Sequence, residues 1–481
     1  MRGALMLALA VALARAAYLV FACPYTLVED EAHYRQWAER PDLAYYSKGP
    51  GIALLLRAVT QSLGESEAAL RMGSVLAGLV ASAALAALTR DLAPGVRRGP
   101  LAAVSLFSVV PHFFPTALVA TTDMPHLACW SVAALAGWRA VRAGGWWWAG
   151  FALALAVGLL FRWTILALGA GLVVHACLRG KALASIVALA TSLAGLVPTV
   201  LWNIREGWPT WKHHLGHLGA RGGDMPPVAW SYDPRWTLEF VGSQAALAGP
   251  VLVLAVMGVR AMLRGTGREA GAFTLLTSLP ILLFYLLVSV RTDVEATWGT
   301  PGFVTLIPAA VVASAGRRGL LVASVVYGAV GGAAVLRMDL LARAIPNVVS
   351  VRRFLGADAA AEGIGRLARE AEASSGTSTF FIAKHYGRAS LAWYYLPGRP
   401  TVRCASRFLG GRACQQDHWA DHDLNDPSLV GRSAVLIGGE SADWASAFER
   451  VVGPVAIPGP HKLGEVIFIG YGFKGAGAWG G

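Results

Sequence analysis

Long apolar segments alternate with short polar turns over the first 340 residues of the chain. A transmembrane helix needs about twenty apolar residues to cross the hydrocarbon core. Windows of this length predict about eleven transmembrane helices, at 3–22, 67–89, 100–118, 123–141, 145–161, 164–179, 183–201, 238–260, 270–290, 300–315 and 319–337. The shorter apolar segment 50–63 contains Arg57 and instead predicts an interfacial helix that lies along the membrane surface.

The pattern changes after residue 340, where the apolar runs shorten to the length of strands. These runs alternate with helix-like segments, which is typical of a small α/β domain. The predicted strands lie at 379–383, 434–438 and 465–470, and the predicted helices at 354–373, 386–396 and 441–450. We therefore predict two domains, a polytopic α-helical membrane domain at 1–340 and an α/β domain at 341–481. The outer loop 202–237 is rich in Trp, His, Gly and Pro, and because Trp favours the headgroup region we predict that this loop lies on the membrane face.

The charge distribution predicts how the helices are oriented. Only 15% of the 481 residues are charged, against about a quarter in soluble proteins. The net charge is +12, and basic residues lie in alternate turns: Arg90, Arg97, Arg98, Arg139, Arg142, Arg179, Lys181, Arg260, Arg264, Arg268, Arg317 and Arg318. The positive-inside rule assigns these turns to the cytoplasm and predicts no nucleic-acid partner. The other loops and the C-terminal domain are then extracytoplasmic.

The sequence shows no motif for a zinc site or for nucleotide binding. No cysteine pair has the spacing of a zinc site, and neither a P-loop nor a dinucleotide-binding fingerprint occurs. Cys404 and Cys414 lie together in the C-terminal domain, where an extracytoplasmic location would allow a disulfide.

Three consecutive acids, Glu29, Asp30 and Glu31, follow the first apolar helix. Desolvating a carboxylate at a membrane surface costs several kcal/mol unless it stays hydrated or paired. Asp30 with Glu31 could supply a general base, because partial burial raises the pKa of a carboxylate. The alternative is a solvated acidic run on an outer loop.

Two basic residues in outer turns are candidate phosphate ligands. Lys48 precedes Gly49-Pro50, where it could bind a lipid phosphate or extend ordinarily toward the headgroups. Arg162 lies in a tight turn between two apolar helices, against the positive-inside bias. It therefore needs an anionic partner, either a substrate phosphate or a structural carboxylate.

Three further positions have both structural and functional interpretations. Asp123 begins a predicted helix as an N-cap, yet could face the same cleft as Asp30. Glu295 and Trp298 similarly lie in a turn that enters a helix. His213 and His217 are four residues apart, which permits metal binding from one helix face but also suits an amphipathic interfacial helix.

Together these motifs resemble the family 39 glycosyltransferases. These GT-C membrane enzymes include the protein O-mannosyltransferases and the bacterial aminoarabinose transferase of lipid A. The resemblance departs from the family pattern at Gly49, where a proline is usual, and at Arg162, where a lysine is usual. It rests on 29–34 with 45–50, 122–125, 161–164, Pro198 with Trp202-Asn203 and Trp208, 295–301, and Tyr386 with 392–398.

The resemblance implies a GT-C-like fold in the bacterial cytoplasmic membrane, with the active site on the outer face. It implies transfer of a sugar, with inversion, from a polyprenyl-phosphate donor to a lipid, glycan or protein acceptor. Asp30 would be the general base, Glu31 and Asp123 would orient substrate, and Lys48 and Arg162 would bind the donor phosphate. The expected substrate-binding residues are Tyr34, Tyr46, Trp202, Glu295 and Trp298. No cofactor is required with certainty, and a divalent cation stays possible.

Other functions remain open at this stage. Within the enzyme class, the acceptor could be a lipid A-like glycolipid. A lipid or oligosaccharide flippase would translocate substrate without forming a glycosidic bond, and would need polar residues at mid-membrane. A non-catalytic envelope scaffold would tolerate the loss of both Asp30 and Lys48.

Overall fold

The computed structural model describes residues 1–226 and 231–480. The predicted outer segment 202–237 includes 227–230, which lie outside the described residues. The helices, with their bounds, are α1 Arg2–Phe21, α2 Glu29–Glu39, α3 Gly51–Leu63, α4 Glu67–Leu92, α5 Gly99–Val109, α6 Asp123–Ala143, α7 Trp147–Leu159, α8 Leu166–Cys177, α9 Ala182–Ser192, α10 Val197–Glu206, α11 Pro209–His217, α12 Pro234–Ala248, α13 Pro250–Arg264, α14 Arg268–Val288, α15 Thr300–Ser314, α16 Arg318–Leu336, α17 Met338–Ala344, α18 Ala357–Ser375, α19 Tyr386–Tyr395 and α20 Ser441–Ala445.

The predicted number of eleven full spans is not confirmed. Within the described ranges, five helices are long and apolar enough to cross a membrane, or six if one bent pair is counted as a span. The predicted span 238–260 is that pair, α12 and α13, which meet at 88°. Gly249 has a φ of +54° and Pro250 begins α13, so the sequence Gly-Pro breaks the helix. Similarly, α5 ends at Val109 rather than 118, because Pro111 and Pro115 follow.

The basic turns meet at one end of the helical bundle. Arg139 forms an ion pair with Asp91 at 2.7 Å, and Arg142 pairs with Glu269 at 3.1 Å. Asp91 lies twenty residues after Arg71 in α4, a distance of about 30 Å at 1.5 Å per residue. This length matches the hydrocarbon core of a bilayer. Arg71 contacts the acidic loop, so the acids and the basic turns lie at opposite ends; their membrane sides stay a prediction.

A small C-terminal α/β domain is present, built on a mixed five-stranded sheet. The strands are β1 Thr379–Ala383, β2 Val402–Cys404, β3 Ser433–Ile437, β4 Phe448–Val455 and β5 Ile467–Phe473, in the order β2-β1-β3-β5-β4. β1 is parallel to β2 and β3, whereas β5 is antiparallel to β3 and β4. The predicted helix 441–450 is too long, because α20 ends at Ala445 and the edge strand β4 begins three residues later.

The C-terminal domain shares a hydrophobic core with the segment that contains the three acids and α2. Leu27 and Trp37, on either side of the acids, are fully buried in one cluster with Ile364 of α18 and Val435 of β3. The short helix α2 is therefore enclosed between the bundle and the C-terminal domain. This arrangement places the acidic run at the junction of the two domains.

Candidate active site

The three acids lie in the first turn of α2, where the helix dipole favours negative charge. Successive helical residues are rotated by about 100°, so the three side chains point in different directions. Glu31 points into the core, while Glu29 points to the C-terminal domain, with its carboxylate 3.8 Å from His385 Nδ1. Asp30 lies between them, half-buried and close to Lys48 and Asp123.

Glu31 has a complete set of protein partners. Its carboxylate accepts hydrogen bonds from Arg71 Nε at 2.9 Å and Arg71 Nη2 at 2.8 Å. It also accepts from the main-chain N–H groups of Ala120 at 2.8 Å and Val28 at 3.0 Å. The side chain is fully buried. This bonding favours a structural role that fixes α2 to α4 over the substrate-orienting role expected from the sequence.

Asp30 is the acid that faces the other polar groups. Tyr386 donates a hydrogen bond from its hydroxyl to Asp30 Oδ1 at 3.3 Å. Burial raises the pKa of Asp30 above its usual value, and Glu29 acts in the same direction, whereas Lys48 and the Tyr386 hydrogen bond oppose the shift. A carboxylate with a raised pKa is a better proton acceptor near neutral pH.

A close approach of two loops brings Lys48 into this site. The main chains of Tyr45 and Lys48 hydrogen-bond each other in a tight turn, and Gly51 donates to the carbonyl of Leu160 at 2.9 Å. A Cβ on Gly49 would lie 2.6 Å from that same carbonyl oxygen. Glycine is therefore required at the position where the family usually has proline. The contact places Lys48 beside Arg162, two residues after Leu160.

Arg162 and Asp123 form an ion pair at the ends of two helical segments. Arg162 Nη2 lies 2.8 Å from Asp123 Oδ1, and Arg162 Nε donates to Thr122 Oγ1 at 2.9 Å. Thr121 donates to the second oxygen of Asp123 at 2.8 Å. Arg162 also interacts with Tyr34 and Tyr285. Arg162 was expected either to bind a substrate phosphate or to pair with a structural carboxylate. It pairs with Asp123, which is itself a predicted site residue, so this ion pair is compatible with both expectations.

The four ionised groups of the site balance in charge. Asp30 and Asp123 carry one negative charge each, and Lys48 and Arg162 one positive charge each. Burial, and after it the nearby Arg162, lower the pKa of Lys48 to about 8, because the carboxylates of Asp30 and Asp123 compensate only in part. An incoming phosphate would therefore enter a site that contains an incompletely stabilised cation.

The remaining predicted residues have partners other than the four charged groups. Tyr46 donates to Asp224 Oδ2 at 2.8 Å, and the indole of Trp202 donates to Asp42 Oδ2 at 3.1 Å. The Trp298 ring is tilted against that of Tyr285, with 5.3 Å between ring centroids, and Tyr285 interacts with Arg162. Glu295 is exposed on its turn.

The two histidines proposed as metal ligands are adjacent. His213 Nε2 and His217 Nε2 are 3.1 Å apart, and Asp224 binds His213 Nδ1 at 3.0 Å. Arg412 of the C-terminal domain approaches His217 Nε2 to 2.9 Å, which brings a cation to this pair. Within 1–226 and 231–480, no group of three or more His, Cys, Asp or Glu side chains is arranged to hold a metal ion.

Two residues of the site were not predicted from the sequence. Arg71, which binds Glu31, lies in a segment predicted only as an apolar span. Tyr386, which binds Asp30, belongs to one of the family-like motifs, but its role is not predictable because the sequence does not reveal that α19 contacts α2. The only available signal for Arg71 was a lone arginine near the end of an apolar helix.

Comparison with known proteins agrees with the predicted resemblance. The family described as dolichyl-phosphate-mannose-protein mannosyltransferase matches residues 47–202, which include Lys48, Asp123 and Arg162. The lipid A galacturonosyltransferase RgtD of Rhizobium johnstonii is 26% identical over 290 residues, which span 57% of this chain and 58% of that relative.

Solved structures share the fold over almost the whole chain. ArnT from Cupriavidus metallidurans, bound to undecaprenyl phosphate, superimposes with a TM-score of 0.63 at 14% identity, covering 96% of this chain and 97% of ArnT. The apo structure of the same protein gives the same TM-score at 15% identity. The chain is thus similar to the GT-C glycosyltransferases of family 39 in sequence and in fold, which confirms the resemblance.

Proposed function

We propose that this protein is a membrane glycosyltransferase that moves a sugar from a polyprenyl-phosphate donor to an acceptor hydroxyl. The observation that carries the proposal is the cluster of Asp30, Lys48, Asp123 and Arg162, which unites a candidate base with two phosphate-binding cations. The undecaprenyl phosphate bound to the structurally similar ArnT supports a polyprenyl-linked donor.

The reaction would be a single displacement with inversion. Asp30 accepts the proton of the acceptor hydroxyl while the acceptor oxygen forms a bond to the anomeric carbon. The bond between the anomeric carbon and the phosphate oxygen breaks, and its electron pair leaves with the lipid phosphate. Lys48 and Arg162 stabilise the charge that develops on this leaving group. Asp30 then releases its proton to solvent.

The acceptor that we favour is a glycolipid of the lipid A type. The matched relative RgtD is named for transfer to lipid A, and this supports the choice over a protein or glycan acceptor. The proposed site lies where α2 meets the C-terminal domain. A membrane-anchored acceptor and a polyprenyl donor could both reach it from the bilayer.

A transfer assay tests the proposal directly. Purified protein in lipid nanodiscs is incubated with labelled polyprenyl-phosphate sugars and a membrane extract, and label is followed into glycolipid, protein and polysaccharide fractions. We expect label in the glycolipid fraction. Translocation of the donor without any labelled product would favour the flippase instead.

The variant Asp30→Asn identifies the base within that assay. The substitution keeps the size of the side chain but removes the proton acceptor, so we expect kcat to fall by about 10²–10⁴-fold. Glu29→Gln is the matched control, because the Glu29 carboxylate points toward His385. It should keep most of the turnover, and the acidic limb of its pH profile should move down because Glu29 raises the pKa of Asp30. Full turnover by a well-inserted Asp30→Asn protein would contradict the assignment.

A further inference from the structure

The C-terminal domain reaches the proposed active site through the N-terminal turn of α19. Tyr386, the first residue of α19, donates its hydroxyl hydrogen to Asp30 Oδ1 at 3.3 Å. In the described part of the chain this is the hydrogen bond that the Asp30 carboxylate accepts, and it engages one oxygen. The other oxygen, Oδ2, is the one available for the proton of an acceptor.

A buried hydrogen-bond network fixes this contact. His33 Nδ1 lies 2.9 Å from Ser390 Oγ, which in turn donates to Gln36 Oε1 at 3.0 Å. Gln416 Nε2 donates to both Gln36 Oε1 at 3.1 Å and Ser390 Oγ at 3.0 Å. All four side chains are buried. Breaking these buried hydrogen bonds costs free energy, so they help to determine how the two helices align.

Helical spacing links this network to the active site. Asp30 and His33 are three residues apart in α2, and Tyr386 and Ser390 are four apart in α19, so each pair shares one helix face. Gly387 allows the close approach, since a Cβ there would lie 2.6 Å from Glu29 Cβ. Fixing Ser390 against His33 therefore also fixes Tyr386 against Asp30.

We propose that Tyr386 is a positioning residue for the general base, so that the C-terminal domain completes the active site. The Tyr386 hydroxyl orients the Asp30 carboxylate with Oδ2 toward the acceptor and stabilises its ionised form. This inference rests on the proposed function. It assigns to the C-terminal domain a part in the chemistry rather than only in partner binding.

The effect on pH dependence follows from the groups around Asp30. A hydrogen bond to an ionised carboxylate lowers its pKa, so its loss moves the acidic limb of the pH profile upward. The other charged or titratable groups that face Asp30 stay in place in a Tyr386 variant: Glu29 and Tyr34 of α2, Lys48, Asp123, Arg162 and His385.

The variant Tyr386→Phe tests the inference with the full-length protein in nanodiscs. We expect kcat to fall about tenfold, the KM for the donor to change less than twofold, and the acidic limb of kcat/KM to move up by about one pH unit. Tyr394→Phe is the matched control in the same helix, because its hydroxyl donates to the main-chain carbonyl of Glu65 instead. It should leave both the rate and the limb unchanged.

The outcomes separate this inference from the proposed function. If the wild-type protein transfers sugar and Tyr386→Phe keeps the wild-type kcat and acidic limb, the positioning role is wrong while the transferase remains. If the wild-type protein itself forms no product, the proposed function fails, and the inference with it. Should Tyr386→Phe not fold, Gly387→Ala replaces it. This variant separates α19 from α2, so the same shift of the limb is expected, and an unchanged limb would refute the role.

Discussion

Lys48 allows the sharpest test of the electrostatic arrangement. Burial and the nearby Arg162 guanidinium lower its pKa to about 8, from an ordinary value of about 10.4. With this pKa, the fraction of Lys48 that carries a positive charge falls from about 0.9 at pH 7 to about 0.1 at pH 9. Because kcat/KM reports ionisation of the free enzyme, it should fall about tenfold over this range if the Lys48 cation binds the donor phosphate.

The variant Lys48→Arg should remove this basic limb. A guanidinium stays charged above pH 12, so kcat/KM of the variant should be nearly constant from pH 7 to pH 9. Initial rates of label transfer at sub-saturating donor measure kcat/KM directly. Lys212→Arg, an exposed lysine of α11, is the matched control and should keep the wild-type profile. A fall centred near pH 8 that persists in Lys48→Arg would assign the limb to another group and refute the reasoning.

Two further predictions concern the framework of the site. Arg71→Leu leaves the buried Glu31 carboxylate without its cation, so the protein should lose about 3–5 kcal/mol of stability, measured as a lower midpoint of thermal unfolding in detergent; an unchanged midpoint would contradict the structural role of this pair. Cys404 and Cys414 are buried free thiols near enough to hydrogen-bond, so an extracytoplasmic location should yield a disulfide in protein from membranes, seen as protection from alkylation that a reductant removes.

The sequence grouped the residues of the candidate site, but it did not predict their detailed geometry. Asp30, Lys48, Asp123 and Arg162 all lie in turns assigned to one end of the bundle by the positions of the basic residues. Because successive turns lie at alternate ends of the bundle, the order of the helices was sufficient to group residues more than one hundred positions apart. Neither hydrophobicity nor spacing could show that Gly49 packs on a main-chain carbonyl, since this depends on how two loops meet.

Roles within the acidic run could not be predicted from the sequence alone. Glu31 and Asp30 are adjacent and chemically similar, and only the packing of α2 decides which one turns to the core. The partner of each acid is distant in sequence: Arg71 is 40 residues from Glu31, and Tyr386 is 356 from Asp30. In contrast, the sequence Gly249-Pro250 does indicate the break between α12 and α13. The prediction missed it because the window 238–260 was judged by its apolar character alone.

Lys48 and Arg162 differ in how well the protein stabilises their charge, and this difference predicts different functions for them. Burial disfavours the charge on Arg162, but Asp123, helped by Tyr285, Tyr34 and Asp30, more than compensates, and the pKa of Arg162 is raised overall. Among the described residues Lys48 has no ion pair of this kind, and its pKa is lowered. A cation that is incompletely stabilised in the free protein gains more from an arriving phosphate than one that is already paired. Lys48 should therefore contribute most to donor binding, while Arg162 holds Asp123 and the neighbouring helix ends in place. Phosphate binding at Lys48 would raise its pKa, so the basic limb should lie at higher pH for kcat than for kcat/KM.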